Sequence, residues 1–191
     1  MEEVVVTGMG CVSALGNTPE ILWENLLAGK SGVTTITHFD TSAYEVHFAA
    51  EVKEFDASPY FNDRDQKRYS RNIQYAVSAA SDAVKNSGLN VDSLDKSRAG
   101  VILASGMGGM DVYYDTSATL SNKGPRRVSP FFIPMAITNM AAGEVSIRFG
   151  FMGPNFTTTS ACASSNHALI AAADQIRLGR ADVMLAGGSE E

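Results

Sequence analysis

The strongest constraint on the fold is that short apolar runs alternate with helical patterns along the whole chain. From β-branched and small apolar residues, strands are predicted at residues 4–7, 99–104, 155–160 and 182–186. From apolar residues three and four positions apart, helices are predicted at residues 19–28, 63–85, 111–122, 134–148 and 164–178. Strands that alternate with helices predict an α/β fold in which helices cover a mostly parallel mixed sheet.

Capping residues fix the ends of some of these predicted helices. Thr18 suits the N-cap position of the first helix, and Pro19 suits its first turn, where the missing N–H costs nothing. The long helix that begins near Asp63 would end at residues 86–88, where serine and glycine follow asparagine. Between these helices, residues 46–50 are predicted to form one strand of a hairpin.

Composition and charge exclude several classes of protein. The chain has 191 residues, of which 45% are hydrophobic, so it can bury a core and is not disordered. A net charge of −6 argues against binding nucleic acid through bulk charge. The apolar runs fall short of the roughly 18 residues that a membrane span needs, and the acidic start does not match a signal peptide. With only two cysteines, Cys11 and Cys162, the protein is predicted to work in a reducing cytoplasm.

The last predicted strand is followed only by residues 187–191. A strand with two apolar faces needs a covering layer on each of them. We therefore expect residues 1–191 to be one domain that is cut off rather than finished.

Cys162 lies between a predicted strand and a predicted helix, with small residues on both sides. A helix N-terminus favours the thiolate, and a sharp strand-to-helix turn exposes the side chain to a substrate. The N–H of the same residue can also help to hold an oxyanion. Cys162 is therefore either a nucleophile or a small buried hydrophobic residue, which is the more common role of a free cysteine. Cys11 is interpreted as buried.

A thiolate nucleophile usually needs a base or a cation close by. The candidate bases are His38, His47 and His167. His167 comes five residues after Cys162, so on a helix it would point about 140° away from the cysteine. The other two histidines lie in an irregular segment, and we therefore expect the base to be missing from this chain.

Two glycine-rich segments leave alternatives open. Residues 8–13 resemble a dinucleotide-binding turn, but the next helix signal comes only at Thr18, so a plain tight turn is favoured. Residues 105–110 lack the lysine of a phosphate-binding loop. They fit either a plain turn or a close backbone approach around a flexible apolar pocket that contains Met107.

Four basic residues, Arg64, Lys67, Arg68 and Arg71, stand at the start of the long predicted helix. Their spacing puts all four on one side of it, while the aspartates at 63 and 65 dilute the patch but do not line up with it. In an acidic protein such a stripe either docks an acidic partner or is a solvated face.

Taken together, these segments resemble the β-ketoacyl-acyl carrier protein synthases, the condensing enzymes of fatty-acid synthesis. The similarity runs along the whole chain and is carried by residues 4–10, 124–134, 139–140, 153–155, 160–166 and 181–190. It implies the thiolase-like layered fold, of which this chain would be the first of two similar halves. The pattern looks most like that of the type II elongating synthases and their organellar relatives.

The resemblance implies roles for individual residues. The thiolate of Cys162 would take an acyl chain from acyl carrier protein, and malonyl-carrier protein would then lose carbon dioxide and attack that thioester. Gly106 and Met107 match the gate of the acyl pocket, and Phe132 and Ile133 match pocket residues near a subunit interface. The positions that dock the acidic carrier protein are matched by Arg64, Lys67 and Arg68.

The resemblance also limits what this chain can do. Two histidines and a lysine of the family lie in the carboxy-terminal half, so we expect the chain to be inactive alone and the full-length protein to be a homodimer. Neither a cofactor nor a metal ion is implied. Residues 164–166 read Ser-Ser-Asn where many bacterial members place a glycine, which leaves the subfamily open. The alternatives are a polyketide-type ketosynthase and a non-catalytic fragment that only binds carrier protein or a partner subunit.

Overall fold

The computed structural model describes residues 3–191, which form an α/β chain around a three-stranded sheet. The helices are α1 (Pro19–Leu27), α2 (Asp63–Gln66), α3 (Arg71–Ser87), α4 (Met110–Lys123), α5 (Phe132–Ala136), α6 (Met140–Phe149) and α7 (Ser164–Arg177). The strands are β1 (Thr34–Thr35), β2 (Phe48–Ala49), β3 (Ala99–Ala104), β4 (Asn155–Phe156) and β5 (Val183–Gly188). Within these residues no helix is both long and apolar enough to cross a membrane.

The strand β3 is the centre of the sheet, whose order is β4-β3-β5. It runs parallel to both neighbours, with Val101 opposite Asn155 on one side and Leu185 on the other. The strands β1 and β2 form a separate antiparallel pair in which Thr34 lies opposite Ala49. The predicted α/β class, parallel sheet and hairpin strand are therefore confirmed.

Side chains of β3 alternate between two cores. Val101 and Leu103 pack with buried residues of α3 and α6 on one face of the sheet. Ile102 and Ala104 point to the other face and pack against α7. Because successive side chains of a strand point in opposite directions, helices on both faces bury the whole strand, as is typical of parallel sheets.

The predicted caps of α1 and α3 are confirmed. Thr18 is the N-cap of α1, where its hydroxyl accepts a hydrogen bond from the N–H of Ile21 at 3.3 Å, and Pro19 occupies the first turn. Gly88 ends α3. The apolar face of α1 is not buried, however, because Leu26 and Leu27 remain 50% and 70% exposed.

The long helix predicted over residues 63–85 is wrong, because the chain breaks it into α2 and α3. Ser70 takes an extended ψ of 161° at the break. The side-chain amide of Gln74 donates to the carbonyl oxygens of Gln66 and Tyr69, at 2.9 and 2.8 Å, so carbonyl groups at the break are satisfied locally. The helix predicted over residues 134–148 is likewise divided into α5 and α6, because Ile137 is extended.

The strand predicted at residues 4–7 is also wrong. Val5 and Val6 are 67% and 80% exposed, and within residues 3–191 no strand pairs with this run. A β-branched run needs a neighbouring strand to become a strand itself. The strand predicted at residues 155–160 is shorter than expected and ends at Phe156.

Gly8 and Gly10 bring the backbone of the first segment into close contact with α3. A methyl group on Gly10 would overlap the carbonyl oxygen of Ala79, and one on Gly8 would overlap that of Ala83. These glycines therefore permit helix packing instead of forming a dinucleotide-binding turn. The tight turn lies further along, where Ser13 and Gly16 exchange backbone hydrogen bonds of 3.0 and 3.2 Å.

Substitution of Gly10 by alanine is expected to destabilise the protein by about 1–3 kcal/mol, because the added methyl forces the segment away from α3. Gly143, inside α6, is a matched control because an added methyl there meets only Met140 at ordinary contact distance. Gly143→Ala should be neutral or stabilising, since alanine favours a helix more than glycine does. Urea-unfolding midpoints measure both effects, and equal midpoints for the two variants would contradict the packing role of Gly10.

Candidate functional site

Cys162 lies in the connection between β4 and α7, and its side chain is exposed. The residue before it, Ala161, has a φ of 51°, a left-handed conformation that is uncommon for a residue with a side chain. The helix α7 begins at Ser164, two residues after the cysteine, and the positive end of a helix dipole favours negative charge near its first turn. Cys162 is therefore exposed at a helix N-terminus and is not a buried hydrophobic residue.

The buried side chain of Ser164 fixes the conformation of this turn. Its hydroxyl accepts from the N–H of Ser160 and donates to the carbonyl oxygen of Ala161, each at 2.7 Å. Its backbone N–H also donates to Ala161, and its carbonyl accepts from the hydroxyl of Thr158 at 2.9 Å. These bonds offset the strain at Ala161 and hold the cysteine backbone in one position.

The histidines of the chain are engaged elsewhere. Nδ1 of His167 lies 2.6 Å from the hydroxyl of Ser160, that of His47 lies 3.0 Å from the hydroxyl of Thr41, and that of His38 lies 3.8 Å from Glu51. None of these contacts involves the thiol of Cys162. In the part of the chain that the structure describes, no group of three or more His, Cys, Asp or Glu side chains is placed to hold a metal ion.

Ser105, at the end of β3, joins three segments around the cysteine. It is buried, and its carbonyl oxygen accepts from the hydroxyl of Thr159, three residues before Cys162, at 2.9 Å. Its own hydroxyl accepts from the N–H of Gly108 at 2.9 Å and donates to the carboxylate of Glu190 at 3.1 Å. The loop after β3, the cysteine segment and the end of β5 are therefore connected through one buried residue, by its side chain and its backbone carbonyl.

Sequence reasoning missed both Ser105 and Glu190. Each of them closely follows the end of a predicted strand. Neighbouring parallel strands bring their carboxyl ends to one edge of a sheet, so this position could have indicated that the two residues lie close together. The sequence did not indicate that β3 and β5 are neighbours, however, and the two residues stand 85 positions apart.

Gly106 and Met107 lie in the loop between β3 and α4, and the side chain of Met107 is 54% exposed. This loop packs tightly against the end of α5. Gly108 has a φ of 69°, and the carbonyl oxygen of Ala136 occupies the space that a side chain at Gly108 would need. The same carbonyl accepts from the N–H of Gly109 at 3.1 Å. The loop is therefore more than a plain turn, because its glycines permit close contact with α5.

The other two residues predicted to bind substrate lie on α5 itself. Phe132 packs edge to face against Tyr113 of α4, with 5.4 Å between ring centroids. Ile133 is 55% exposed. Phe132 and Ile133 lie at the start of the helix whose other end, at Ala136, packs against the loop of Met107.

An apolar cleft of about 730 Å³ lies in a different place, between residues 6–12 and β5. Leu22 and Trp23 of α1 and Leu185 of β5 line it. Neither Cys162 nor any of the predicted acyl-pocket residues contributes to its walls. The cleft therefore excludes the cysteine itself, but Ser189 and Glu190 line it, so it extends to the end of β5 beside the candidate site.

Cys11, the second thiol, has a different environment. It is partly buried in the wall of that cleft, and burial raises the pKa of its thiol, with Glu20 and Asp82 raising it further. Since the thiolate is the reactive form, Cys11 is poorly suited to act as a nucleophile at neutral pH.

Three of the four predicted basic residues, Arg64, Lys67 and Arg68, line one shallow depression together with Asp63 and Phe131. The guanidinium of Arg68 lies 4.2 Å from the centroid of the Phe131 ring, in cation–π geometry. Arg71 does not line this depression, because it begins α3 after the break.

The aspartates dilute the basic patch, as predicted, but the prediction that they do not line up with the basic residues is wrong. Asp63 lines the depression, and Asp65 lies 3.9 Å from Arg68. The reason is the break at Ser70, which makes α2 a single short turn of Asp63–Gln66 that keeps acidic and basic side chains together. The depression still carries three cations against one carboxylate in its lining.

The sequence matches the profile of the family described as "Beta-ketoacyl synthase, N-terminal domain" over residues 1–191. It is 45% identical over 188 residues to 3-oxoacyl-[acyl-carrier-protein] synthase 2 of Vibrio cholerae, a match that covers 98% of this chain and 45% of the relative. It is 42% identical over 192 residues to the chloroplastic 3-oxoacyl-[acyl-carrier-protein] synthase I of Arabidopsis thaliana, covering 99% of this chain and 41% of that relative. The chain thus spans less than half the length of either curated relative.

Among solved structures, the fold is similar to a ketosynthase bound to its hexaketide, in complex with its type II polyketide synthase acyl-carrier protein. The TM-score is 0.84 at 25% identity, and the match covers 100% of this chain and 51% of the ketosynthase chain. The similarity therefore includes the turn that carries Cys162.

Proposed function

From the premise that this chain belongs to the β-ketoacyl synthase family, whose fold is thiolase-like, we propose that it carries the nucleophile of a 3-oxoacyl-carrier-protein synthase of fatty-acid elongation. The observation that carries the proposal is the exposed thiol of Cys162 at a turn held by Ser164. The curated relatives at 42–45% identity are 3-oxoacyl-carrier-protein synthases, which supports fatty-acid elongation as the process.

In the first half-reaction, the thiolate of Cys162 attacks the thioester carbonyl of an acyl chain carried by acyl carrier protein. The tetrahedral oxyanion is held in part by the N–H of Cys162, whose backbone the Ser164 bonds keep in place. The carrier thiolate then leaves and takes a proton, and the acyl chain remains on Cys162 as a new thioester.

In the second half-reaction, malonyl-carrier protein loses carbon dioxide, and the resulting carbanion attacks the acyl thioester on Cys162. The bond to sulfur breaks, the thiolate is regenerated, and 3-oxoacyl-carrier protein is released. The family resemblance assigns the decarboxylation to histidines and a lysine of a second half. Cys162 and its surroundings are proposed to supply the nucleophile, part of the oxyanion hole and the acyl pocket.

The acyl chain is proposed to lie between the loop after β3 and α5. Gly106, Met107, Phe132 and Ile133 are the residues that would contact it. The support is geometric, because Gly108 and Gly109 pack directly on Ala136 and so bring Met107 and α5 together. The exposed apolar side chains of Met107 and Ile133 suit an alkyl chain.

The partner is proposed to be acyl carrier protein, docked on the depression lined by Arg64, Lys67 and Arg68. Three cations there stand out in a chain of net charge −6, and an acidic carrier would be attracted to them.

The full-length protein is proposed to be a homodimer in the cytoplasm. The strand β4 lies at the edge of the sheet, and its Phe156 is 40% exposed. Together with the exposed Ile133, this residue offers apolar surface to a second copy of the chain. The two unpaired cysteines fit a reducing compartment.

The test is to incubate the full-length protein with acyl-carrier protein, with and without malonyl-carrier protein, and to follow protein and product by mass spectrometry. We expect an acyl adduct on the peptide that contains Cys162 when malonyl-carrier protein is absent. When it is present, we expect one carbon dioxide for each 3-oxoacyl product. Carrier binding without an adduct, or an adduct on Cys11 alone, would refute the proposal.

A polyketide-type ketosynthase is the second candidate, because the similar solved structure is a ketosynthase bound to its hexaketide. The same assay separates the two functions. A fatty-acid synthase stops after one condensation until the keto group is reduced, whereas a polyketide synthase accumulates unreduced products of several condensations.

A further inference from the structure

The carboxylate of Glu190 is bonded to the loop that carries Met107. Glu190 follows β5 and accepts hydrogen bonds from the N–H of Gly106 at 2.5 Å and from the N–H of Met107 at 3.3 Å. The hydroxyl of Ser105 donates to the same carboxylate at 3.1 Å. One side chain therefore receives three donors from three consecutive residues.

The backbone of the Glu190 segment is itself held in place. The N–H of Ser189 donates to the carbonyl oxygen of Ala104 at 3.0 Å, which continues the pairing of β3 with β5 one residue beyond the end of β5. The hydroxyl of Ser189 donates to the carbonyl oxygen of Asn72, in α3, at 2.6 Å. Glu190 is thus presented to the loop from a rigid position.

This loop is held at its first residues by the carboxylate of Glu190 and further along by the contact of Gly108 and Gly109 with Ala136. Its next residues, Gly108 and Gly109, have no side chains to restrict the backbone, and the side chain of Met107 is more than half exposed. Hydrogen bonds from N–H groups to a carboxylate are about twice as strong as those between neutral groups. Without Glu190, the N–H groups of Gly106 and Met107 would be solvated, and the loop would sample other conformations.

We propose that Glu190 is a positioning residue that sets acyl-chain selectivity by fixing the backbone of Met107. This inference rests on the proposed function, in which Met107 contacts the acyl chain carried by Cys162. The buried Ser105 bonds both Glu190 and Thr159, so the position of Met107 is fixed relative to the cysteine segment.

The test uses the full-length protein with Glu190→Gln. The amide keeps the size of the side chain but has only one acceptor oxygen, and its NH₂ group opposes the donors of the loop. We measure kcat/KM for a series of acyl-carrier proteins of increasing chain length. The ratio of kcat/KM for the preferred acyl chain to kcat/KM for the next longer chain should fall at least about fivefold, roughly 1 kcal/mol. The reason is that a mobile Met107 no longer limits the length of the pocket.

Glu191→Gln is the matched control. Burial and the nearby carboxylate of Asp111 raise the pKa of Glu191 to about 8, so the amide resembles the neutral form of this side chain. Its carboxylate accepts from the N–H of Asn72 at 2.9 Å and not from the loop, and an amide oxygen can still accept that bond. The chain-length profile of this variant should match that of the parent.

Glu190→Asp keeps the negative charge and is the second test variant, used if Glu190→Gln does not fold. Its shorter reach should shift the profile in the same direction by a smaller factor. Alkylation of Cys162 by iodoacetamide should keep its rate in all these variants, since the turn is held by Ser164. A uniform loss of kcat/KM at every chain length, with a lower melting temperature, would show that Glu190 has only a structural role and would overturn the proposal.

Met107→Ala distinguishes failure of this proposal from failure of the proposed function. If Met107→Ala shifts the chain-length profile and both Glu190 variants do not, the acyl pocket stands and the positioning role is overturned. If Met107→Ala leaves the profile unchanged, Met107 is not in the pocket, and the proposed pocket and the role of Glu190 fall together.

Discussion

Replacement of Cys162 by alanine is expected to lower the rate of acyl transfer in the full-length protein by about a thousandfold or more, because the atom that forms the thioester is lost. Binding of the carrier protein should persist, since the basic depression is untouched. The measurement is single-turnover transfer from radiolabelled acyl-carrier protein, read as acyl adduct on the enzyme.

Cys11→Ala is the matched control for this variant, because it removes the other thiol of the chain. The rate of acyl transfer in Cys11→Ala should stay within about twofold of that of the parent protein, since burial and two carboxylates already disfavour the Cys11 thiolate. An electrophilic acyl mimic should likewise label Cys162 before Cys11. Residual transfer in Cys162→Ala that disappears on removal of Cys11 would contradict the assignment of the nucleophile.

The second large effect is expected at the basic depression. Lys67→Glu should lower kcat/KM for acyl-carrier protein by about tenfold, mainly through slower association, and should weaken its dependence on salt. Lys67 is chosen instead of Arg68, whose guanidinium packs on Phe131 and whose loss would disturb the surface. Acylation by a small thioester, which needs no docking, should not change.

Lys85→Glu controls for net charge in that experiment. Each reversal takes the formal charge of the chain from −6 to −8. Lys85 lies in the last turn of α3, and the helix places it roughly 20 Å from Arg71 at the other end. Equal losses for the two variants would mean that overall charge, and not the depression, attracts the carrier.

The central strand could be predicted from sequence because its residues are apolar on both faces, as a strand covered by helices on both sides requires. Residues 99–104 are small or apolar on both faces of the strand, and helices cover both faces of β3. Residues 4–7 show a similar pattern, yet Val5 and Val6 are exposed. The two runs differ in whether a neighbouring strand pairs with them, and the hydrophobic pattern within a run does not specify its neighbour.

Helix breaks escaped prediction for a related reason. The apolar spacing runs from Tyr69 to Val84 and does not show where the helix begins, whereas the side chain of Gln74 bonds two carbonyl groups at the break. Such local bonds compete with the helix without changing the apolar pattern. Asn62 is the N-cap of α2, because its side chain accepts from the N–H groups of Arg64 and Asp65.

The candidate site was predictable where its residues lie close together in sequence. Cys162, its small neighbours and the start of α7 form one continuous segment. The bonds of Glu190 to residues 105–107 join positions more than eighty apart and require the register of β3 against β5. That register results from the pairing of whole strands, so single motifs did not reveal it.

The alternation of β3 between two cores has a consequence for engineering. Val101 and Ile102 are adjacent in the chain, yet each belongs to a different set of packed side chains. The strand acts as a partition, so a change of volume on the α7 side need not disturb the side that packs against α3 and α6. The two cores can therefore be redesigned one at a time, and the cysteine segment leads directly into α7, which packs in one of them.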